Sequence, residues 1–185
     1  MERTMIFIDG SNILNVFKVR KMRVDILKLV KVLNNGRKLI RTYYFDGIYP
    51  PDVDLPTISD QHSINLIRKR RIEKLKFIRK FFGKGIEFRL IELRHTGRDK
   101  FIQKGVDVAI AVEMLDLAHK DAFDVAILVS GDGDLVEAVN KIKGMGKIVE
   151  VVADSLNLSP RLLAVADRFI DIRDIAGSIR LGGNA

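Results

Sequence analysis

A single α/β domain built on a doubly wound parallel sheet is the fold this sequence predicts. Three observations point to it. Short apolar, β-branched runs such as IFI, VAILV and IVEVV have the composition of strands buried on both faces. Segments of helical periodicity separate them. No internal repeat, linker or second apolar unit interrupts the 185 residues, a length that sustains one core. Strands alternating with helices place a parallel sheet between two helical layers, α/β/α. The domain is expected over residues 1–176, with a Gly-rich, flexible tail over 177–185.

Taken in order, residues 5–9 read as the first strand, running into Asp9, Gly10, Ser11 and Asn12. Ser11 or Asn12 is a fitting N-cap for a short helix starting near Ile13. Residues 24–34 are helical, because Ile26, Val30 and Leu33 share a face and the Asn34-Asn35-Gly36 run stops the helix. Residues 38–45 form the second strand. Residues 46–60 hold all but one of the four prolines and read as a loop. A long helix over 61–82 sets Ile64, Ile67, Leu75, Ile78 and Phe82 at helical spacing, as an inward face. A third strand covers 86–93, and 94–104 is a polar, basic loop. A helix over 106–119, a strand over 125–130, a helix over 135–143 and a strand over 147–153 follow. A short helix over 159–166 and a last strand over 169–172 complete the pattern.

Bulk composition narrows the function. Hydrophobic residues are 47% and charged residues 30%, which excludes a disordered chain. No apolar run approaches the ~20 residues of a membrane helix, so no membrane partner is expected. The start, MERTMIFIDG, carries an acid and only a short apolar run, unlike a secretory signal. Cysteine is absent, which removes disulfides and thiolate zinc sites and fits a cytoplasmic location. Net charge is +8 and the pI is near 9.8. That balance favours anionic partners, above all phosphate backbones.

The carboxylates carry the chemistry. In an open parallel sheet, ligands bind beyond the carboxyl ends of the strands where strand order reverses. Asp9 ends the first strand, and Asp132 and Asp134 lie just past the fourth, in SGDGD. Asp107 sits in the first turn of the helix after the third strand. If the first and fourth strands are neighbours, Asp9, Asp132 and Asp134 face one crevice, and the helix start that carries Asp107 is expected at the same sheet edge. Glu113 and Asp116, six and nine residues beyond Asp107, point away from it. Each acid alone has a plain alternative: Asp107 complements a helix dipole, and Gly131 and Gly133 serve a turn. Four carboxylates in one crevice repel each other, and desolvation worsens it. A cation balances such a group, and Mg²⁺ or Mn²⁺ suits an all-oxygen site.

Other aspartate-at-strand-end chemistries fit less well. A haloacid-dehalogenase-type phosphatase places a second Asp where this chain has Ser11. A von Willebrand-type D-x-S-x-S site places a Ser where this chain has Ile13. No Walker A pattern is present, and DGDL lacks the later ligands of an EF-hand loop. His62, His95 and His119 stand in no context that suggests a nucleophilic triad.

Three stretches, FIDGSN, KGVDVAIAVEM and LVSGDGDLVEAVNKIKGMGKIVEVV, occur in this order. Together they resemble the NYN branch of the PIN-like nucleases, and most closely the LabA-like bacterial group. The resemblance spans residues 4–172. It implies a Rossmann-like doubly wound sheet and metal-dependent cleavage of phosphodiester bonds, usually in RNA. Asp9, Asp107, Asp132 and Asp134 match the family's acidic positions, and Asn12 and Ser130 its small polar ones. By this resemblance Asp9 and Asp132 are expected as direct or water-mediated ligands of Mg²⁺ or Mn²⁺. Asp134 and Asp107 complete the shell or orient a water. Asn12 and Ser130 hold phosphate or water. The expected protein is a metal-dependent endoribonuclease. The alternative is a nucleic-acid- or protein-binding regulator that keeps the pocket with little turnover. A homodimer is allowed by the sequence and not required by it.

A basic helix offers the grip on substrate. LIRKRRIEKLKFIRKFFGKG carries nine cations against the single acid Glu73. Arg68, Lys69, Arg70, Arg71 and Lys74 are the expected phosphate contacts there, giving salt-sensitive, sequence-blind binding. Arg98 and Lys100, in the loop before Asp107, are expected to guide a strand toward the crevice. Tyr43, Tyr44 and Tyr49 are aromatic candidates for base stacking, but strand tyrosines usually belong to the core, and none is placed in the site.

Overall fold

A computed structural model describes residues 1–51, 61–96 and 101–181. Six parallel strands form one sheet. They are β1 (Arg3–Asp9), β2 (Lys38–Ile48), β3 (Ile86–Glu92), β6 (Val125–Val129), β7 (Ile148–Ala153) and β8 (Arg168–Asp171). Their spatial order is β3-β2-β1-β6-β7-β8. A two-residue pair, β4 (Arg94–His95) and β5 (Phe101–Ile102), forms a small antiparallel ribbon inside the segment read as a loop. Arg98 and Lys100 lie outside the described residues.

The sheet is doubly wound. The chain builds outward from β1 to β2 and β3, then crosses back through α4 (Val106–His119) to β6 on the other side of β1. The reversal therefore falls between β1 and β6. Those strands are paired in parallel, Ile8 beside Val129, which establishes the adjacency that brings the acidic ends together.

Strand alternation sorts the core into two layers. Phe7, Tyr43, Phe45, Ala126 and Leu128 face α4, α5 (Val136–Gly144) and α6 (Pro160–Val165). Ile6, Ile8, Tyr44, Ile127 and Val129 face the other side. That side is covered by α1 (Gly10–Val19), α2 (Ile26–Asn34), α3 (Gln61–Arg79) and α7 (Ala176–Ile179). Central strands buried on both faces explain why these runs are apolar at every position rather than at alternate ones.

Two expectations change. The helix after β1 begins at Gly10, not near Ile13, because Asp9 itself is its N-cap. The inward face of α3 runs through Ile67, Phe77 and, just past its end, Phe81. Leu75 is 44% exposed and Phe82 91% exposed. Phe77 meets Tyr44, Phe88 and Phe81, and Phe81 meets Phe88, all at tilted or edge-on angles, so an aromatic cluster helps to seat this basic helix. Residues 177–181 fold back onto the domain. Ile179 is fully buried, its carbonyl accepts from the Asp25 N–H at 2.9 Å, and Leu181 N–H bonds the Arg23 carbonyl.

Candidate functional site

Asp9 continues the alternation of Met5 and Phe7, so it lies on the α4 side of the sheet. It is only 2% exposed. Its Oδ1 accepts from Ser11 Oγ at 2.9 Å and from the Asn12 N–H at 3.0 Å, and its Oδ2 accepts from Ser130 Oγ at 3.2 Å. The strand thus turns into helix on the spot, with Asp9 satisfying the first orphan donors. Gly10 makes this possible: a Cβ there would press into the Tyr44 ring and stand 2.8 Å from the Phe45 carbonyl oxygen.

Across the β1–β6 boundary, Asp132 caps a 3-10 turn, Gly133–Leu135, accepting from the Asp134 N–H at 2.9 Å. The loop before it is braced from two sides. Ser130 Oγ accepts from the Asp132 N–H at 3.2 Å, and Asn12 Oδ1 accepts from the Gly131 N–H at 3.3 Å. Gly131 is needed for packing, since a Cβ would stand 2.6 Å from the Asn157 carbonyl oxygen. Asp107 arrives from the first turn of α4, opposite both loops.

One carboxylate oxygen from each of Asp107, Asp132 and Asp134 lies within 4.8 Å of the others. Asp9 is outside that trio but lines the same crevice of about 270 Å³, with Asp107, Asp132, Ser11, Asn12, Asn15 and Gln103. Burial pushes the Asp9 carboxyl up from its ordinary range, against its three hydrogen bonds, and the Asp132 charge adds to the rise. Burial also raises Asp107, reinforced by Asp132, Asp9 and Asp134. The crevice is therefore a pocket of uncompensated negative potential. Its donors are all carboxylate, amide and hydroxyl oxygens, a set that fits a hard divalent cation such as Mg²⁺ or Mn²⁺.

Ser130 is 1% exposed; its hydroxyl donates to Asp9 and accepts from the Asp132 N–H, so it braces both acidic loops. Asn12 spends its carbonyl on the Gly131 N–H while lining the crevice. Glu113 pairs with Arg89 at 3.1 Å and Asp116 with Lys120 at 2.6 Å, away from the acids as expected. Asn15 and Gln103 were missed by sequence reasoning. Asn15 follows Asn12 by three residues, a signal visible only once the helix is known to start at Gly10.

The basic helix is less free than its sequence suggests. Lys74 pairs with the buried Asp46. Arg71 donates to the Tyr49 carbonyl oxygen, and Arg70 donates to the Tyr49 hydroxyl at 2.8 Å. Arg70, Arg71 and Lys74 thus tie α3 to the end of β2 and to Tyr49 just past it, alongside the helix's apolar contacts. Arg68 and Lys69 are exposed. No helix among the described residues is long and apolar enough to cross a membrane.

A doubly wound sheet with an acidic crevice at its switch point defines an α/β domain of the PIN-like type. The NYN domain profile matches residues 3–173, and the chain belongs to that family, a branch of the PIN-like nucleases. It is 23% identical over 181 residues to the low amplitude and bright protein LabA of Synechococcus elongatus, covering 96% of this chain and 87% of that protein. The fold is shared with a protein of unknown function from Vibrio parahaemolyticus, with a TM-score of 0.69 and 22% identity. The match covers 97% of this chain and 96% of the other.

Proposed function

We propose that the protein is a Mg²⁺- or Mn²⁺-dependent endoribonuclease. The observation that carries this reading is the meeting of Asp107, Asp132 and Asp134 beside the buried Asp9 at the switch point. A divalent ion there would supply a water nucleophile near neutral pH and positive charge opposite the negative charge that develops on the phosphoryl oxygens. Asp107, Asp132 and Asp134 would hold the ion. Asp9, with its raised carboxyl and its bonds to Ser11 and Ser130, is suited to accept a proton from the attacking water. Ser130 and the Asn12 amide would keep the two acidic loops in register. Lys69 and Arg68 would contact phosphates farther along the strand.

The test is cleavage of labelled single-stranded and hairpin RNA with Mn²⁺, Mg²⁺ or EDTA, run beside Asp132→Asn. Cutting that needs the metal and disappears in the variant is the expected result. RNA binding by both proteins with no cutting of any substrate would replace the enzyme by a nucleic-acid-binding regulator.

A further inference from the structure

We propose that a groove beside the acidic crevice, walled by Tyr49 and Arg70, seats the unpaired nucleotide next to the scissile phosphate. This rests on the nuclease reading above. The groove lies between α1, the end of β2 and α3, and has a volume of about 550 Å³. Lys18, Tyr49, Arg70 and Gln103 are the side chains in it that matter here. Gln103 lines the acidic crevice as well, so the two cavities meet at this residue. Its Nε2 donates to Ser11 Oγ at 3.1 Å, and Ser11 donates to Asp9. The junction is therefore two hydrogen bonds, through Ser11, from the acid proposed to take the proton.

A path leads from the acids into the groove. Ser11, Asn15 and Lys18 are four and three residues apart, on one face of α1. Asn15 and Lys18 are exposed. Lys18 stands about 10 Å along the helix axis from Ser11. Lys18 has no ion-pair partner among the described residues and is placed to meet a phosphate leaving the crevice.

The far wall is built to stack a base. The Arg70 guanidinium lies 5.8 Å from the Tyr49 ring centroid and donates to the Tyr49 hydroxyl at 2.8 Å. Phe101 meets the same ring edge-on at 5.1 Å. Tyr49 is thus held from two directions, so a base would stack on it without first ordering it. Of the three tyrosines near this end of β2, Tyr43 and Tyr44 are buried in the core, and Tyr49 alone lines the groove. Lys74 already neutralises Asp46 there, which leaves Lys18 and Arg70 against Glu73. A recess of this shape receives a splayed base, whereas a base paired within a helix offers no free face.

The experiment measures binding of end-labelled RNA by fluorescence anisotropy in EDTA, where cleavage does not interfere. Tyr49→Ala is expected to weaken single-stranded RNA roughly tenfold, in the range that base–aromatic stacking contributes. Tyr49→Phe should keep most of the affinity. Lys18→Ala should lower the slope of log K against log salt by about one. An abasic residue walked along the RNA should weaken the wild type at one position, and Tyr49→Ala should be insensitive there. Circular dichroism melting confirms that each variant is folded. RNA bound equally by wild type and Tyr49→Ala would overturn the groove and leave the nuclease reading standing. No RNA binding by the wild type would overturn both.

Discussion

Replacing Asp132 by Asn should make the metal-free protein more stable and the metal-loaded protein relatively less so. The cap is preserved, because Asn accepts from the Asp134 N–H as Asp does. What changes is charge. Two unit charges at the 4.8 Å upper limit of these separations repel by roughly 0.9 kcal/mol at the dielectric of water and roughly 3.5 kcal/mol at an effective value of 20. Asp107 is half-buried and lies between these limits, while Asp134 is exposed and lies near the lower one. The substitution removes both repulsions and that on buried Asp9, so a gain of about 1–2 kcal/mol is expected. For a domain of this size that is a rise of about 2–8 °C in Tm. Urea unfolding at pH 7.5 in EDTA measures it. Repeating the series at saturating Mn²⁺ should add about 2.7 kcal/mol to the wild type at a hundredfold excess over Kd. The variant should gain much less, and the order of stability should invert. A variant that is less stable in EDTA, with no response of either protein to Mn²⁺, would refute the argument that these acids form a repelling, cation-balanced cluster.

Gly10→Ala sets helix propensity, which favours Ala by about 1 kcal/mol or less at a helix end, against overlap with Tyr44 and the Phe45 carbonyl. Overpacking costs about 1–3 kcal/mol, so urea unfolding should show net destabilisation; a variant at least as stable as wild type would contradict the close approach. Folded-state carboxyls of Asp9 and Asp107 lie above the ordinary 3.8, so the folded chain binds protons more readily there than the unfolded chain. Their contribution to metal-free stability therefore increases as pH falls from neutral through the raised values, and levels off near 3.8. Mn²⁺ competes with those protons, so calorimetric titrations should show affinity falling over the same window, and a flat profile would count against Asp9 and Asp107 lying in the site.

Much of the fold was legible because strands buried on both faces must be apolar throughout, and α4, with its Gly105 start and uninterrupted apolar rhythm, reads the same in sequence and structure. The beginning of α1 was not legible. A cap is usually sought among small polar residues, and here the residue that ends the strand also caps the helix. The docking of α3 was hidden as well. Its cations looked like a solvent face, yet Arg70, Arg71 and Lys74 find acceptors on β2 and on the turn beyond it. Those acceptors are more than twenty residues away in the chain.

By itself the sequence determined the α/β class, the acidic residues and their position at the ends of apolar strands, because periodicity and strand composition are local properties. Tertiary structure alone decided that β1 and β6 are neighbours, that Asp107, Asp132 and Asp134 approach within 4.8 Å while Asp9 stays buried, and that Gln103 joins two cavities. Those are distances between segments that are remote along the chain. They follow from which strands pair and which helix faces pack, and no local pattern encodes them.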